Sequence, residues 1–140
     1  MAKVVLERRS GDYGFTATDE QGTVIQTDTS LENGGNNFGI RPMQLLLIAL
    51  GSCSAIDIVT ILKKQKQVLN EFIISIEGQR ETGKEPSLWN EIRVHFLLKG
   101  QVDVEKADRA CSLSIEKYCS VAETLRRAGA HIHWEVTVKP

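Results

Sequence analysis

The spacing of hydrophobic residues changes several times along the chain, and each spacing predicts a different element. Three short β-prone segments come first, at residues 3–9, 12–19 and 23–28, with glycine-containing turns between them. Short strands separated by such turns are typical of an antiparallel meander. The next residues, 30–42, are rich in Asn and Gly, which predicts a loop that ends at Pro42, in the favoured first position of a helix.

A long apolar helix is predicted from Pro42 to about Lys66. This segment contains one glycine, Gly51, and no further proline, and its positions are apolar almost all round until Lys63. A helix that is apolar around most of its circumference is normally buried on most of its surface. We therefore expect this helix to be the central element of the fold or of a dimer.

Two strands should follow the long helix. Residues 71–81 and 91–100 alternate apolar and polar positions, which is the period of a strand with one buried face. The residues expected to point inward are Phe72, Ile74, Ile76, Ile92, Val94, Phe96 and Leu98. The polar stretch between the two segments, residues 82–90, predicts a hairpin connection.

Two helices and a last strand complete the predicted order. Residues 103–117 carry a helical stripe that points Cys111 at the core, formed by Val104, Ala107, Cys111 and Ser114. Ser120 and Glu123 form a capping-box pattern, so a second helix should start at Ser120 and end at Gly129. Residues 131–139 alternate as a final strand, with His131 and His133 on its outward face. The order βββ-α-ββ-αα-β predicts an α+β fold, and the length suits a single domain, residues 1–140.

Composition and charge narrow the classes of partner. The formal net charge is −1, and the basic residues form no block longer than the cluster of Lys63, Lys64 and Lys66. Nucleic acid and an anionic membrane surface are therefore not expected as main partners. The apolar runs at residues 4–6 and 45–50 are too short for a signal-peptide core and for a bilayer span, so we expect a soluble, cytoplasmic protein.

The three cysteines, Cys53, Cys111 and Cys119, are the candidate chemical groups. Their spacing is not that of a zinc site, so we expect no metal. In a reducing compartment, a cysteine that forms a disulfide is usually catalytic or redox-sensing. A buried free cysteine can also be inert core filler, and this alternative is strongest for Cys111.

The local settings of Cys53 and Cys119 differ. Cys119 directly precedes a predicted helix, where free N–H groups and the helix dipole favour a thiolate. Cys53 lies in mid-helix, so its activation must come from another part of the fold. Asp57, one turn later, could raise the pKa of Cys53 or hold an arginine against it, and the sequence leaves both open.

Two segments together carry a family resemblance. GGNNFGIRPMQLLLIALGSCSAID, taken with EKYCSVAETL, resembles the paired-cysteine signature of the OsmC/Ohr family, and the predicted element order also follows that family. The resemblance implies an OsmC-like fold, with antiparallel strands around a long buried central helix, in an intertwined homodimer. It also implies thiol-dependent reduction of organic hydroperoxides without a cofactor. Cys53 would be the peroxidatic nucleophile and Cys119 the resolving partner, with an external dithiol as reductant.

Other site residues follow from the same resemblance. In the family an arginine from the N-terminal strands stabilises the thiolate, which implies Arg8 or Arg9, and Arg41 also borders the helix. Candidates for an apolar wall around the substrate are Phe38, Ile40, Met43, Leu45 and Leu46.

The chain departs from the family pattern at one position. Peroxidase members carry a glutamate ten residues before the nucleophile, where this chain has Met43, and the neighbouring Gln44 cannot supply its charge. This departure supports an alternative hypothesis, a non-catalytic or redox-sensing OsmC-like protein that binds a small apolar or electrophilic ligand.

Overall fold

The structure, a computed structural model, describes all residues from Met1 to Pro140. The chain forms two compact units, Met1–Leu46 and Leu47–Pro140. Its α+β composition and its element order agree with the order predicted from the sequence. That residues 1–140 form a single domain stays a prediction.

The first unit contains a three-stranded antiparallel sheet in the order β1-β2-β3, which confirms the predicted meander. Its strands are β1 (Val5–Ser10), β2 (Gly14–Thr18) and β3 (Val24–Thr27). Arg8 pairs with Phe15, and the register shifts between Arg8 and Ser10, so Arg9 lies at a bulge.

The Asn- and Gly-rich loop after β3 is organised by a buried carboxylate. Asp28 accepts hydrogen bonds from the backbone N–H groups of Thr29, Asn36 and Phe38, at 2.8, 2.8 and 3.1 Å. These bonds, led by that from Asn36, hold the pKa of Asp28 below its usual value although burial opposes them. Gly39 packs directly on the backbone of β3, where a Cβ atom has no room, so the glycine is needed for this close approach.

The long helix α1 (Pro42–Lys64) starts at the predicted proline and ends two residues before the predicted end. Its buried residues are Leu50, Gly51, Ser54, Ile58 and Leu62. Ile48, Ile56 and Val59 are exposed, by 47%, 68% and 36%. Only one stripe of the helix is covered in the single chain, so the predicted burial on most of its surface requires a second copy, which is the dimer alternative of the prediction. The helix is long and apolar enough to cross a membrane, a property that core helices of soluble proteins share.

The second unit is built on a sheet with the order β4-β5-β6. Strands β4 (Val68–Arg80) and β5 (Trp89–Gln101) are antiparallel, whereas β6 (His131–Lys139) lies parallel to β5. Parallel strands need a crossover, and here it runs through α2 (Val104–Leu113), a π-helical turn (Ser114–Tyr118) and α3 (Ser120–Arg127). The predicted inward residues of β5, from Ile92 to Leu98, are fully buried, and those of β4 pack against them.

Two details of the crossover differ from prediction. Ala107, Cys111 and Ser114 are buried as predicted, but Val104 is 64% exposed because it is the first residue of α2, at the edge of the core. The capping box is also wrong: α3 starts at Ser120, but its N-cap is Cys119, whose extended backbone lets its sulfur accept the N–H of Ala122.

Candidate functional site: a pair of thiols

The fold of the second unit brings Cys53 and Cys119 together. Cys53 lies half-buried on α1, Cys119 is buried at the start of α3, and both are free thiols. The thiols of Cys119 and Cys53 interact, and this interaction raises the pKa of Cys119. Two interacting thiols can be joined by a disulfide once the chain brings them to bonding distance.

Hydrogen bonds to residues before and after it in the chain hold Cys119 in place. Its N–H donates to the carbonyl oxygen of Ser114 at 2.7 Å, closing the π-helical turn, and its sulfur accepts the N–H of Ala122 at 3.4 Å. The side chain of Arg126 fixes the same turn by donating to the carbonyl oxygen of Ile115 at 2.6 Å. The sulfur of Cys119 therefore has a defined position at the junction of the turn and α3.

Burial decides the protonation of Cys119. Burial raises its pKa to about 11, the hydrogen bond from Ala122 lowers it, and the contact with Cys53 raises it again. The helix terminus thus acts in the direction that the sequence indicated, but the expectation that it makes Cys119 a thiolate is wrong because desolvation outweighs it. At neutral pH Cys119 is a protonated thiol that can donate its S–H to the sulfur of Cys53.

Cys111 is separate from the pair. It is fully buried in α2, and burial, with a smaller contribution from the charge of Asp108, raises its pKa to about 12. A thiol that is both inaccessible and protonated has little reactivity. This environment suits a packing residue.

The sequence indicates Asp57 as a neighbour of Cys53 but does not assign Ser114 to the site. The hydroxyl oxygen of Ser114 lies 2.9 Å from a carboxylate oxygen of Asp57 and 3.3 Å from the carbonyl oxygen of Ser54. Asp57 therefore has a hydrogen-bond partner that the sequence did not indicate. The signal that could have found Ser114 is a serine on an otherwise apolar stripe, which needs a buried partner.

A small polar pocket of about 300 Å³ opens beside Cys119. Its lining includes Lys117, Tyr118, Ser120 and Arg127, and the Lys117 ammonium lies 5.3 Å from the centre of the Tyr118 ring. Cys119 is itself part of the lining. No group of three or more His, Cys, Asp or Glu side chains is arranged to hold a metal ion.

The other predicted site residues lie in the first unit. Arg8 and Arg9 are exposed, and Arg9 forms an ion pair with Glu7 at 2.9 Å. Arg41 donates to the side-chain oxygen of Asn37 at 3.4 Å. The wall candidates are half-buried at Phe38, Met43 and Leu45, and exposed at Ile40 and Leu46. Their roles stay predictions.

Paired thiols, one on a long central helix and one opening a short helix, define an α+β dithiol protein. A family model described as OsmC-like protein matches residues 34–135. The chain belongs to the OsmC-like family, which confirms the resemblance seen in the sequence.

Individual relatives agree with this assignment. Protein YhfA of Escherichia coli strain K12 is 42% identical over 89 residues, which are 62% of this chain and 65% of YhfA. A hypothetical protein from Aquifex aeolicus VF5, known from its crystal structure, is 32% identical with a TM-score of 0.82, over 100% of this chain and 98% of the other. An organic hydroperoxide resistance protein OsmC from Legionella pneumophila has a TM-score of 0.70 at 15% identity, over 100% and 97% of the two chains, which shows a shared fold.

Proposed function

We propose that the protein reduces organic hydroperoxides with the thiols of Cys53 and Cys119, as part of a defence against peroxide stress. The contact between the two side chains carries the proposal. Membership of the OsmC-like family supports it, as does the shared fold with a protein named for organic hydroperoxide resistance.

The proposed reaction has three steps. The thiolate of Cys53 attacks the O–O bond of the hydroperoxide, which yields an alcohol and a sulfenic acid on Cys53. The sulfur of Cys119 then attacks the sulfenic sulfur, water leaves, and a disulfide joins the two residues. An external dithiol returns both thiols by exchange and is itself oxidised to a disulfide. No cofactor is required.

The burial of Cys119 suits its part in this sequence. A protonated, desolvated thiol is a poor nucleophile towards peroxide, so the first attack falls to Cys53. The same thiol lies against the place where the sulfenic acid would form, and its attack there closes the disulfide. Cys53 is thereby assigned the attack on the peroxide, and Cys119 the closure of the disulfide.

The remaining roles are those that the resemblance implies. Arg8 or Arg9 would stabilise the Cys53 thiolate, and Phe38, Ile40, Met43 and Leu46 would form the apolar substrate wall. The exposed apolar residues of α1, Ile48, Ile56 and Val59, support an intertwined homodimer in which a second copy covers them. We further propose that the protein is soluble and cytoplasmic.

A thiol count tests the proposal. Fully reduced protein receives one equivalent of cumene hydroperoxide, with hydrogen peroxide in parallel, and disulfides are located by peptide mapping. We expect two thiols to be lost, mapped to Cys53 and Cys119, and faster loss with the organic peroxide. Cys111→Ala serves as the matched control and should behave as the wild type. Unchanged peroxide consumption in Cys53→Ser would overturn the proposal.

Met43 favours a second candidate function. Because an apolar side chain replaces the family glutamate, the protein could bind a small apolar or electrophilic ligand, or sense oxidants, without turnover. Thermal unfolding with a panel of apolar ligands tests this candidate, since a bound ligand raises the midpoint with its concentration. Midpoints that stay constant across the panel would contradict it.

A further inference from the structure

Ser114 connects the backbone of Cys119 with that of the helix that carries Cys53. Its carbonyl oxygen accepts the N–H of Cys119 at 2.7 Å, and its hydroxyl lies 3.3 Å from the carbonyl oxygen of Ser54. Ser54 directly follows Cys53 in the chain. Fully buried Ser114 therefore contacts the backbone at Cys119 with its carbonyl group and the helix that carries Cys53 with its hydroxyl group.

The π-helical turn gives Ser114 this double role. Its carbonyl bonds to a residue five positions later, which is the π-helical spacing, so Cys119 is held directly by Ser114. Local π-helical turns are rare and are frequently found at functional sites. A regular α-helical turn would pair that carbonyl with residue 118 and leave the N–H of Cys119 without this partner.

Asp57 fixes the orientation of the Ser114 hydroxyl. A hydroxyl has a single hydrogen to donate, and the carboxylate of Asp57 is the nearer acceptor, at 2.9 Å against 3.3 Å for the carbonyl of Ser54. A hydrogen bond to a charged acceptor is stronger than one to a neutral acceptor. Asp57 lies on α1 one turn after Cys53, so this bond ties α1 to the π-helical turn.

We propose that Ser114 and Asp57 are positioning residues that hold the thiol of Cys119 against Cys53 and thereby raise the effective concentration of one sulfur at the other. The inference rests on the proposed function, since it concerns the closure of the same disulfide. Holding two reacting groups in place removes an entropic cost from the reaction between them. Without this link, Cys119 moves relative to α1 and the disulfide closes less readily.

Equilibration with glutathione tests this inference without any peroxide. The full chain is incubated in mixtures of oxidised and reduced glutathione, quenched by alkylation, and the Cys53–Cys119 disulfide is quantified by mass spectrometry. In this exchange two protein thiols and one oxidised glutathione give one protein disulfide and two reduced glutathione molecules, so two electrons pass from the protein to glutathione.

We compare four variants with the wild type. Ser114→Ala and Asp57→Ala should each lower the equilibrium constant for disulfide formation about tenfold, which corresponds to about 1.4 kcal/mol. Asp57→Asn should stay near the wild type, because its amide oxygen still accepts the Ser114 hydroxyl. Ser112→Ala is the matched control, since it removes a neighbouring hydroxyl that bonds to Glu116 at 3.2 Å.

The outcomes separate this inference from the proposed function. Equal constants for Asp57→Ala, Ser112→Ala and the wild type would overturn the positioning role, even if peroxide still oxidises the pair. A lowered constant in Asp57→Ala, together with a wild type that does not react with peroxide, would retain the positioning role and refute the peroxidase. If Ser114→Ala does not fold by circular dichroism, the contrast between Asp57→Ala and Asp57→Asn decides the test.

Discussion

Replacing Cys111 with alanine should destabilise the protein at neutral pH and stabilise it at high pH. Cys111 is fully buried, and its pKa is raised from 9.0 to about 12. A group whose pKa is higher in the folded state stabilises the fold most below its unfolded pKa. That contribution is lost as the pH rises from the unfolded towards the folded pKa.

The pH at which Cys111→Ala and the wild type are equally stable follows from the raised pKa and from the cavity that the sulfur leaves. Above pH 9, keeping the buried thiol protonated costs about 1.4 kcal/mol of folding free energy per pH unit, up to about 4 kcal/mol near pH 12. Deleting the sulfur leaves a small cavity, at a cost of about 1 kcal/mol that does not depend on pH. The two effects cancel near pH 10, and at about pH 10.5 we expect the variant to be more stable than the wild type by about 1 kcal/mol.

Urea unfolding with a phosphine reductant, at intervals from pH 7 to 10.5, measures this difference. Both proteins keep Cys53, Cys119 and every lysine and tyrosine, so the titration of those groups cancels in the comparison. Ser112→Ala, which removes no titrating group, should differ from the wild type by a constant amount. A wild type that keeps the same advantage over Cys111→Ala throughout this range would refute the reasoning.

Three further predictions concern other parts of the chain. Asp28→Ala should lower the thermal midpoint and open residues 29–41 to limited proteolysis. In the wild type the pKa of Asp28 is lowered, so its stabilisation should be present above pH 3.8 and lost as the pH falls through the lowered pKa. Acid titration of unfolding measures this loss. If Arg8 or Arg9 activates Cys53, alanine at that position should slow its oxidation by cumene hydroperoxide roughly tenfold or more, and alanine at the other should not. Ile56→Glu should give a monomer by light scattering if α1 lies in a dimer interface, and an unchanged mass would count against that dimer.

Periodicity was sufficient to predict most of the fold. The two-residue period of β4 and β5 identifies the buried residues from Ile92 to Leu98, because one face of each strand is covered by helices. The same reasoning left open how α1 is buried, since an apolar surface does not show whether the same chain or another chain covers it. The parallel pairing of β6 with β5 was also not predicted, because strand neighbours depend on the path of the crossover.

Less of the candidate site than of the fold could be predicted from the sequence. The pairing of Cys53 with Cys119 came from the family resemblance, since 66 residues separate them and no local pattern links them. The protonation of Cys119 depends on burial by distant residues, which a reading of its helix terminus alone misses. The contact between Ser114 and Asp57 depends on the π-helical turn, whose extra residue per turn leaves no regular spacing in the sequence.

The long sequence separation of the two thiols links the redox state of the protein to its conformational stability. A disulfide between Cys53 and Cys119 closes a loop of 66 residues, which restricts the unfolded chain and stabilises the fold by about 4 kcal/mol. The two thiols already interact in the reduced protein, so we expect closure to add little strain to offset this gain. By thermodynamic linkage the folded state favours the disulfide to the same extent, about 85 mV in reduction potential, so under the proposed function the external dithiol would have to be strongly reducing.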